Sequence, residues 1–413
     1  MKKTIAVIND IYKELKGQWN GKVADYIPEL AKINPNSFGI SICSTKGETF
    51  NWGDTSNHFC LQSCSKPLSY CIAYDHLGKE ELHKRVGYEP SGETFNAFIL
   101  NKEGLPHNPM INSGAIMVCS QIGKKFEPSK RFNIIKKFYS DLAGEKEIGF
   151  DNSVFLSEQQ NADRNISLAY YMRENNAFKE YISPNEISET LNLYFQQCSS
   201  TMNTKMGAII SSTLANGGLC PTTNKQVCTT DATSDCLSLM FSCGMYNYSG
   251  QFAFEVGLPA KSGVSGCILL VIPNVMGICI WSPPLDSQGN SDLGIKFCTK
   301  LNEKLNLHLF KNIIKNKIDL MDSLSIRFLQ LCCDGKIEEV KNIISSINVN
   351  ICDYDKRTPL HLAVSKGHVE IVALLLKHNA LSCQDRWGNY PIDEIKNKQG
   401  NNYDEIKTLL YNQ

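Results

Sequence analysis

Residues 61–68 read Leu61-Gln62-Ser63-Cys64-Ser65-Lys66-Pro67-Leu68 and contain the only S-x-x-K of the chain. An amphipathic stretch follows at once, with apolar residues at Leu68, Cys71 and Ile72. If a helix begins near Ser63, the i to i+3 spacing sets the serine hydroxyl and the lysine amine on one face. Pro67 then falls in an early turn, where its missing N–H costs least. A hydroxyl beside a neutral amine is a nucleophile with its own base, and the free N–H groups of a helix start can face a developing oxyanion. The amine must lose its proton for this. A drop from about 10.4 to about 8 costs roughly 3 kcal/mol, which burial and a neighbouring cation can supply. Lys261, in Lys261-Ser262-Gly263, is a candidate for that cation. Taken singly, Ser63 reads better as a helix cap and the K-S-G triplet as a turn. What points to chemistry is their order, with the second leading into an apolar strand.

Working outward, Phe38 to Cys43 and Glu48 to Trp52 flank the turn Thr45-Lys46-Gly47 and predict a hairpin. Three further strands are predicted late: Gln251 to Val256, Gly266 to Ile272, and Met276 to Trp281, forming a meander that shares a sheet with the first pair. Between them lies a helix-rich insertion, with periodic apolar residues over Leu168 to Met172 and Met206 to Leu214, the latter stopped by Asn216-Gly217-Gly218. A helix after Asn290 and Ser291, carrying Leu293, Phe297, Leu301 and Leu305, closes the domain. The expected fold is α/β or α+β, with one antiparallel sheet and helices upon it. Pairing of S-x-x-K with a later K-[ST]-G is the arrangement of the serine β-lactamases and penicillin-binding proteins.

Beyond a connector at Lys311 to Asp319 the pattern changes. Asp334-Gly335-Lys336-Ile337-Glu338-Glu339-Val340 returns as Lys366-Gly367-His368-Val369-Glu370-Ile371-Val372, and a weaker third copy begins at Gly400. Thr358-Pro359-Leu360-His361-Leu362-Ala363 fits the ankyrin T-P-L-H-x-A signature, so this part resembles about three ankyrin repeats. The division expected is a 1–22 N-terminal segment, a 23–310 domain, a 311–325 linker and 326–413 ankyrin repeats.

Composition narrows the function classes. Lys plus Arg equals Asp plus Glu at 42 each, so no bulk field draws the 413-residue chain to nucleic acid or anionic lipid. No apolar run is long enough for a transmembrane helix. The first residues carry no apolar h-region, which makes cytoplasm the expected location. The 17 cysteines, several inside apolar runs, read as buried reduced thiols. Cys220, Cys228, Cys236 and Cys243 lack the C-x-x-C spacing and nearby histidine of a zinc site, so no metal is expected.

The segment 61–68 joins four others: Pro106-His107-Asn108-Pro109-Met110-Ile111-Asn112-Ser113-Gly114-Ala115-Ile116, Asp163-Arg164-Asn165, Ser242-Cys243-Gly244-Met245-Tyr246, and Leu258-Pro259-Ala260-Lys261-Ser262-Gly263-Val264-Ser265-Gly266. Together these resemble the serine-dependent glutaminase family from about Val23 to Phe297, and with the ankyrin tail the whole is similar to the kidney- and liver-type glutaminases of animals. The resemblance implies a serine β-lactamase-like α/β (α+β) domain with an antiparallel sheet and a helical subdomain, then an all-α ankyrin-repeat domain. It implies hydrolysis of L-glutamine to L-glutamate and ammonia without metal or organic cofactor. Ser63 becomes the nucleophile, Lys66 its base, and the backbone N–H groups of Ser63 and Val264 the oxyanion donors. Tyr194 and Tyr246 match the two active-site tyrosines of the family, able to pass a proton because a phenol both donates and accepts. Glu158, Asn165, Asn112 and Tyr26 match its substrate pocket, a neutral-overall arrangement suited to a zwitterion.

A homo-oligomer, dimer or tetramer, is implied too, with a protein partner for the repeats and no role for nucleic acid or membrane. Ser91 to Leu105 corresponds to the loop that gates the animal enzymes. Glu93-Thr94 stands where those are apolar and basic, which weakens an anion-linked switch. Two rivals share part of the pattern. Another acyl-serine hydrolase, a β-lactamase or D-amino-acid amidase, would use Ser63, Lys66 and Lys261 but gives no reason for Glu158 with Asn165. A non-catalytic ankyrin scaffold would need none of them.

Overall fold

A computed structural model describes residues 2–310 and 323–411, which fall into two compact units, 2–310 and 323–411. Most of the expected 311–325 linker therefore lies outside the described residues.

The first unit is built on a five-stranded antiparallel sheet. Its strands are β1 (Gly39–Ser44), β2 (Thr49–Gly53), β6 (Ala260–Gly263), β7 (Cys267–Ile272) and β8 (Met276–Trp281), in the order β2-β1-β8-β7-β6. The hairpin is present with Ile40 opposite Trp52, and β1 pairs with β8 with Ile40 opposite Ile280, so the two ends of the domain do share one sheet. β1, β7 and β8 are buried at every position, while edge strand β2 alternates with solvent. Helices on both faces explain this, because a strand covered twice needs apolar side chains throughout. On one face lies the helix Thr204–Ala215, brought close by two glycines: a Cβ at Gly207 would stand 2.5 Å from Cys279 Sγ, and one at Gly277 would stand 2.0 Å from the Ser212 nitrogen. On the other lies Asp292–Leu305, capped by Ser291 as its sequence predicts, with the N-terminal helix Lys2–Leu15 packed upon it through buried Ile8 and Ile11.

Two expectations need correction. Residues 251–256 are not a strand but belong to the helix Ser249–Glu255. The third strand of the meander is instead β6, which carries Lys261-Ser262-Gly263. There is also a second sheet: β3 (Phe59–Cys60), β4 (Gly149–Phe150) and β5 (Ser200–Met202), ordered β3-β5-β4. It stitches the segment before Ser63 to the helical insertion. That insertion comprises Ser65–Leu77, Asn112–Gln121, Pro128–Leu142, Asn152–Gln160, Asp163–Glu174, Pro184–Cys198 and Thr230–Cys243, packed around one apolar cluster.

The second unit is all-helical around its own core of Phe328, Leu360, Val364, Ile371, Leu375 and neighbours. The signature threonine, Thr358, caps Pro359–Lys366 by hydrogen bonding with His361, whose Nε2 meets the Asn389 carbonyl 3.2 Å away. These bonds give the T-P-L-H motif its physical role: one ring serves as cap partner and as rivet to the following turn. Among the described residues no helix is long and apolar enough to cross a membrane, and no group of three or more His, Cys, Asp or Glu side chains could hold a metal ion. Cys220, Cys228, Cys236 and Cys243 are spent separately, the first two on threonine hydroxyls and the others on the Pro67 carbonyl and Ser242.

Candidate active site

Ser63 lies in the 3-10 turn Gln62–Cys64, which runs directly into the helix Ser65–Leu77, so serine and lysine occupy the first turns of one continuous spiral. Gly263 at the end of edge strand β6 presses on that turn. A Cβ there would stand 2.8 Å from the Leu61 carbonyl oxygen and 3.4 Å from the Cys64 nitrogen. Glycine at this position sets Val264 beside the serine, where two backbone N–H groups can converge on one oxygen.

Lys66 is almost fully enclosed, with 2% of its surface exposed. Burial disfavours its charged form and lowers the amine from 10.5 to about 8. The sequence sets Ser63 and Lys66 on one face, one turn apart, and the amine donates to Asn112 Oδ1 at 2.7 Å. Asn112 Oδ1 also accepts from the Tyr194 hydroxyl at 3.2 Å, and Asn112 Nδ2 donates to Asn165 Oδ1 at 2.9 Å. Four expected site residues from four helices thus form one bonded chain. Asn165 sits inside the first turn of Asp163–Glu174.

Glu158 is buried, and its pKa is pushed up to about 7 by desolvation, against the pull of the Gln62 bond and the Lys66 charge. Gln62 Nε2 donates to it at 2.9 Å. Tyr26 is 54% exposed as a residue, yet burial of its hydroxyl end and the nearby Glu158 charge raise its phenol well above the ordinary value. Tyr194 is raised likewise, first by burial. The Tyr246 hydroxyl faces Ser63 and makes no hydrogen bond of ordinary length. Lys261 lies fully buried at the same place, its Nζ 4.6 Å from the centre of the Tyr246 ring. All nine expected residues therefore surround one locus.

Two participants were missed. Gln62 was in the quoted motif but unassigned; its backbone is left-handed at φ 49°, an uncommon state for a non-glycine residue, and no sequence signal marks it. Phe95, from the loop 91–105, leans on the Tyr246 ring at 5.1 Å, and its carbonyl accepts the Asn112 N–H at 2.9 Å. That loop is tied to the site by both contacts. Two cavities flank the locus. One of about 380 Å³ meets it at Val264, and one of about 260 Å³ meets it at Tyr246, beneath residues 91–95.

Comparison with known proteins adds the following. The profile of the family described as Glutaminase matches residues 21–310, and that of ankyrin repeats (3 copies) matches residues 299–394. The mitochondrial glutaminase liver isoform of Mus musculus is 42% identical over 414 residues, covering 97% of this chain and 68% of its own length. A glutaminase of Nostoc sp. is 42% identical over 308 residues, covering 74% of this chain and 90% of itself. The crystal structure of Mglu in its glutamate form superposes with a TM-score of 0.69 at 32% identity, covering 74% of this chain and 69% of that one.

Proposed function

The chain belongs to the glutaminase family, and from that premise we propose that it hydrolyses L-glutamine through an acyl-serine intermediate on Ser63. Its reaction yields L-glutamate and ammonia. Neutral Lys66 takes the Ser63 proton as Oγ attacks the side-chain amide carbon, and the N–H groups of Ser63 and Val264 receive the oxyanion. The carbon–nitrogen bond then breaks. The departing nitrogen takes the proton back from Lys66 or through the phenol of Tyr246, leaving as ammonia, and water hydrolyses the ester with the same base. Ionised Glu158 meets the substrate ammonium, while Asn112, Asn165, Tyr26 and Tyr194 line the rest of the pocket.

One observation carries this reading: a buried amine that makes no carboxylate salt bridge among the described residues, donates to Asn112 and is lowered to about 8 follows a serine at the head of a helix packed against the K-S-G strand. Glu158 with Asn165 favours an amino-acid substrate over a penicillin. The test is ammonia release from glutamine and asparagine beside penicillin turnover, with and without phosphate. Ser63→Ala and Lys66→Ala should each lower kcat by at least about 1,000-fold, with the serine variant keeping wild-type thermal stability. Retained turnover in either, or covalent capture of penicillin, contradicts the proposal.

We further propose a homo-oligomer, a protein partner for the repeats, and the cytoplasm as location. Light scattering, pull-down and fractionation address these in turn, and the mitochondrial label of the mouse relative is the reason to fractionate.

A further inference from the structure

The cavity of about 380 Å³ that meets the site at Val264 has no task in the reaction as just described. Of the nine residues gathered at the catalytic locus, only Val264 lines it, so it is a separate space from the glutamine pocket. Its volume falls within the roughly 300–1,000 Å³ of ligand pockets. Leu30, Ile33, Phe59, Phe150, Val154 and Pro283 supply an apolar wall. The charges on its lining are of one sign: Glu29 and Asp151 are present, and no lysine or arginine is. His58 Nε2 accepts from Asn203 Nδ2 at 3.4 Å, which holds that ring neutral. Glu29 is paired with Lys32. Asp151 has capacity to spare: Oδ1 caps the helix Asn152–Gln160 by accepting from the Ser153 and Val154 N–H groups at 2.9 and 3.0 Å, while Oδ2 has no hydrogen bond among the described residues. A second polar group stands idle in the wall. Ser265 is 8% exposed, and its hydroxyl bonds to nothing among the described residues, although buried hydroxyls ordinarily find a partner.

We propose that this cavity is an effector site for a protonated primary amine carried on an apolar body. The ammonium meets Asp151, with Ser265 as a further acceptor, and the body lies against Leu30, Phe59 and Phe150. An anionic ligand is disfavoured there, because it would set a third negative charge beside two that have no cation on the lining to offset them. Coupling to hydrolysis follows from shared packing: Leu30, Cys60 and Val154 of the cavity wall form one apolar cluster with Val264 and Tyr246. An occupant therefore acts on groups that face the transition state without entering the glutamine pocket, and what it changes is kcat.

Calorimetric titration of the full chain with 2-phenylethylamine, beside its carboxylate counterpart 3-phenylpropanoate, tests the site. We expect saturable amine binding, at least about tenfold tighter than that of the carboxylate and changed by less than about threefold by saturating glutamate. Asp151→Asn keeps an oxygen for the helix cap and removes the charge, so amine affinity should fall at least about fivefold while kcat without amine stays within about twofold. In the assay, saturating amine should change kcat at least about twofold with KM nearly constant, and glutamate and ammonia should appear in equal amounts because the amine is not an acyl acceptor. Absence of saturable binding up to about 10 mM, equal binding of the carboxylate, displacement by glutamate, or full affinity in Asp151→Asn overturns the site. An unchanged kcat, or unequal products, overturns the effector role. That role rests on the Ser63–Lys66 reading, whereas binding does not, and Ser63→Ala separates the two: an active variant removes the reading and leaves the site, and an inactive variant that fails to bind amine removes the site alone.

Discussion

Lys66 illustrates how function costs stability at a single residue. The unfolded chain holds this proton up to about pH 10.4, whereas the folded protein releases it near 8. Between these values the unfolded state binds more protons, so this residue's contribution to stability rises with pH, and below 8 its penalty is present in full. Lys66→Met removes an amine that burial disfavours. We expect the variant to be more stable than wild type by about 1–3 kcal/mol near pH 6, with the difference shrinking toward pH 10, while turnover is lost. Thermal denaturation across pH measures this; a gap independent of pH would show that Lys66 carries no desolvation penalty. The value near 8 was anticipated from sequence because the chemistry demands a neutral amine, and a demand of that kind is readable. What was not readable is the partner. Asn112 takes the Lys66 bond, and Gln62, whose own backbone is left-handed, donates to Glu158. Both facts depend on side-chain directions fixed by packing between distant segments.

At the level of elements, the site is a contact between one edge strand and one helix start, with glycine as the contact. Gly263→Ala would place a Cβ 2.8 Å from the Leu61 carbonyl and 3.1 Å from Cys64 Sγ, and the obstructing atom nearest to it is backbone, which cannot swing aside. The strand must retreat, carrying Val264 away from the place proposed for it as an oxyanion donor. We predict a kcat loss of about 10- to 1,000-fold with KM nearly constant, since oxyanion donors act on the transition state. Steady-state kinetics decide it, and a variant with wild-type kcat would mean that β6 does not set the oxyanion geometry.

The strands around this contact were legible where helices cover both faces, because an unbroken apolar run such as Cys267–Ile272 admits few other readings. Residues 251–256 misled for a physical reason. Phe252 is buried and Phe254 is 81% exposed, so in a helix of only seven residues the one inward aromatic and its outward neighbour imitate the alternation of a strand. The second sheet escaped notice because strands of two or three residues carry no periodicity to read.

For the whole molecule, the repeat period and the T-P-L-H motif announced a second unit with an apolar core of its own. Leu360, Val364, Ile371 and Leu375 are each buried within the 323–411 core, and no residue of that core belongs to the cluster that surrounds Lys66. Two cores within one chain predict two unfolding events rather than one. Leu360→Ala removes a fully buried side chain from the second core, a change that typically costs about 2–5 kcal/mol. A stack of about three repeats has little stability to lose, since each unit leans on its neighbours. In calorimetry of the intact protein we expect two transitions, with Leu360→Ala lowering one of them by several degrees and leaving the other in place. Ammonia release below the first transition should match that of the unaltered protein, because the bonded partners of Lys66 and Glu158 among the described residues, Asn112 and Gln62, belong to the first unit. A single transition that shifts as a whole, or a fall in kcat at temperatures where both units remain folded, would show instead that the repeats support the catalytic unit.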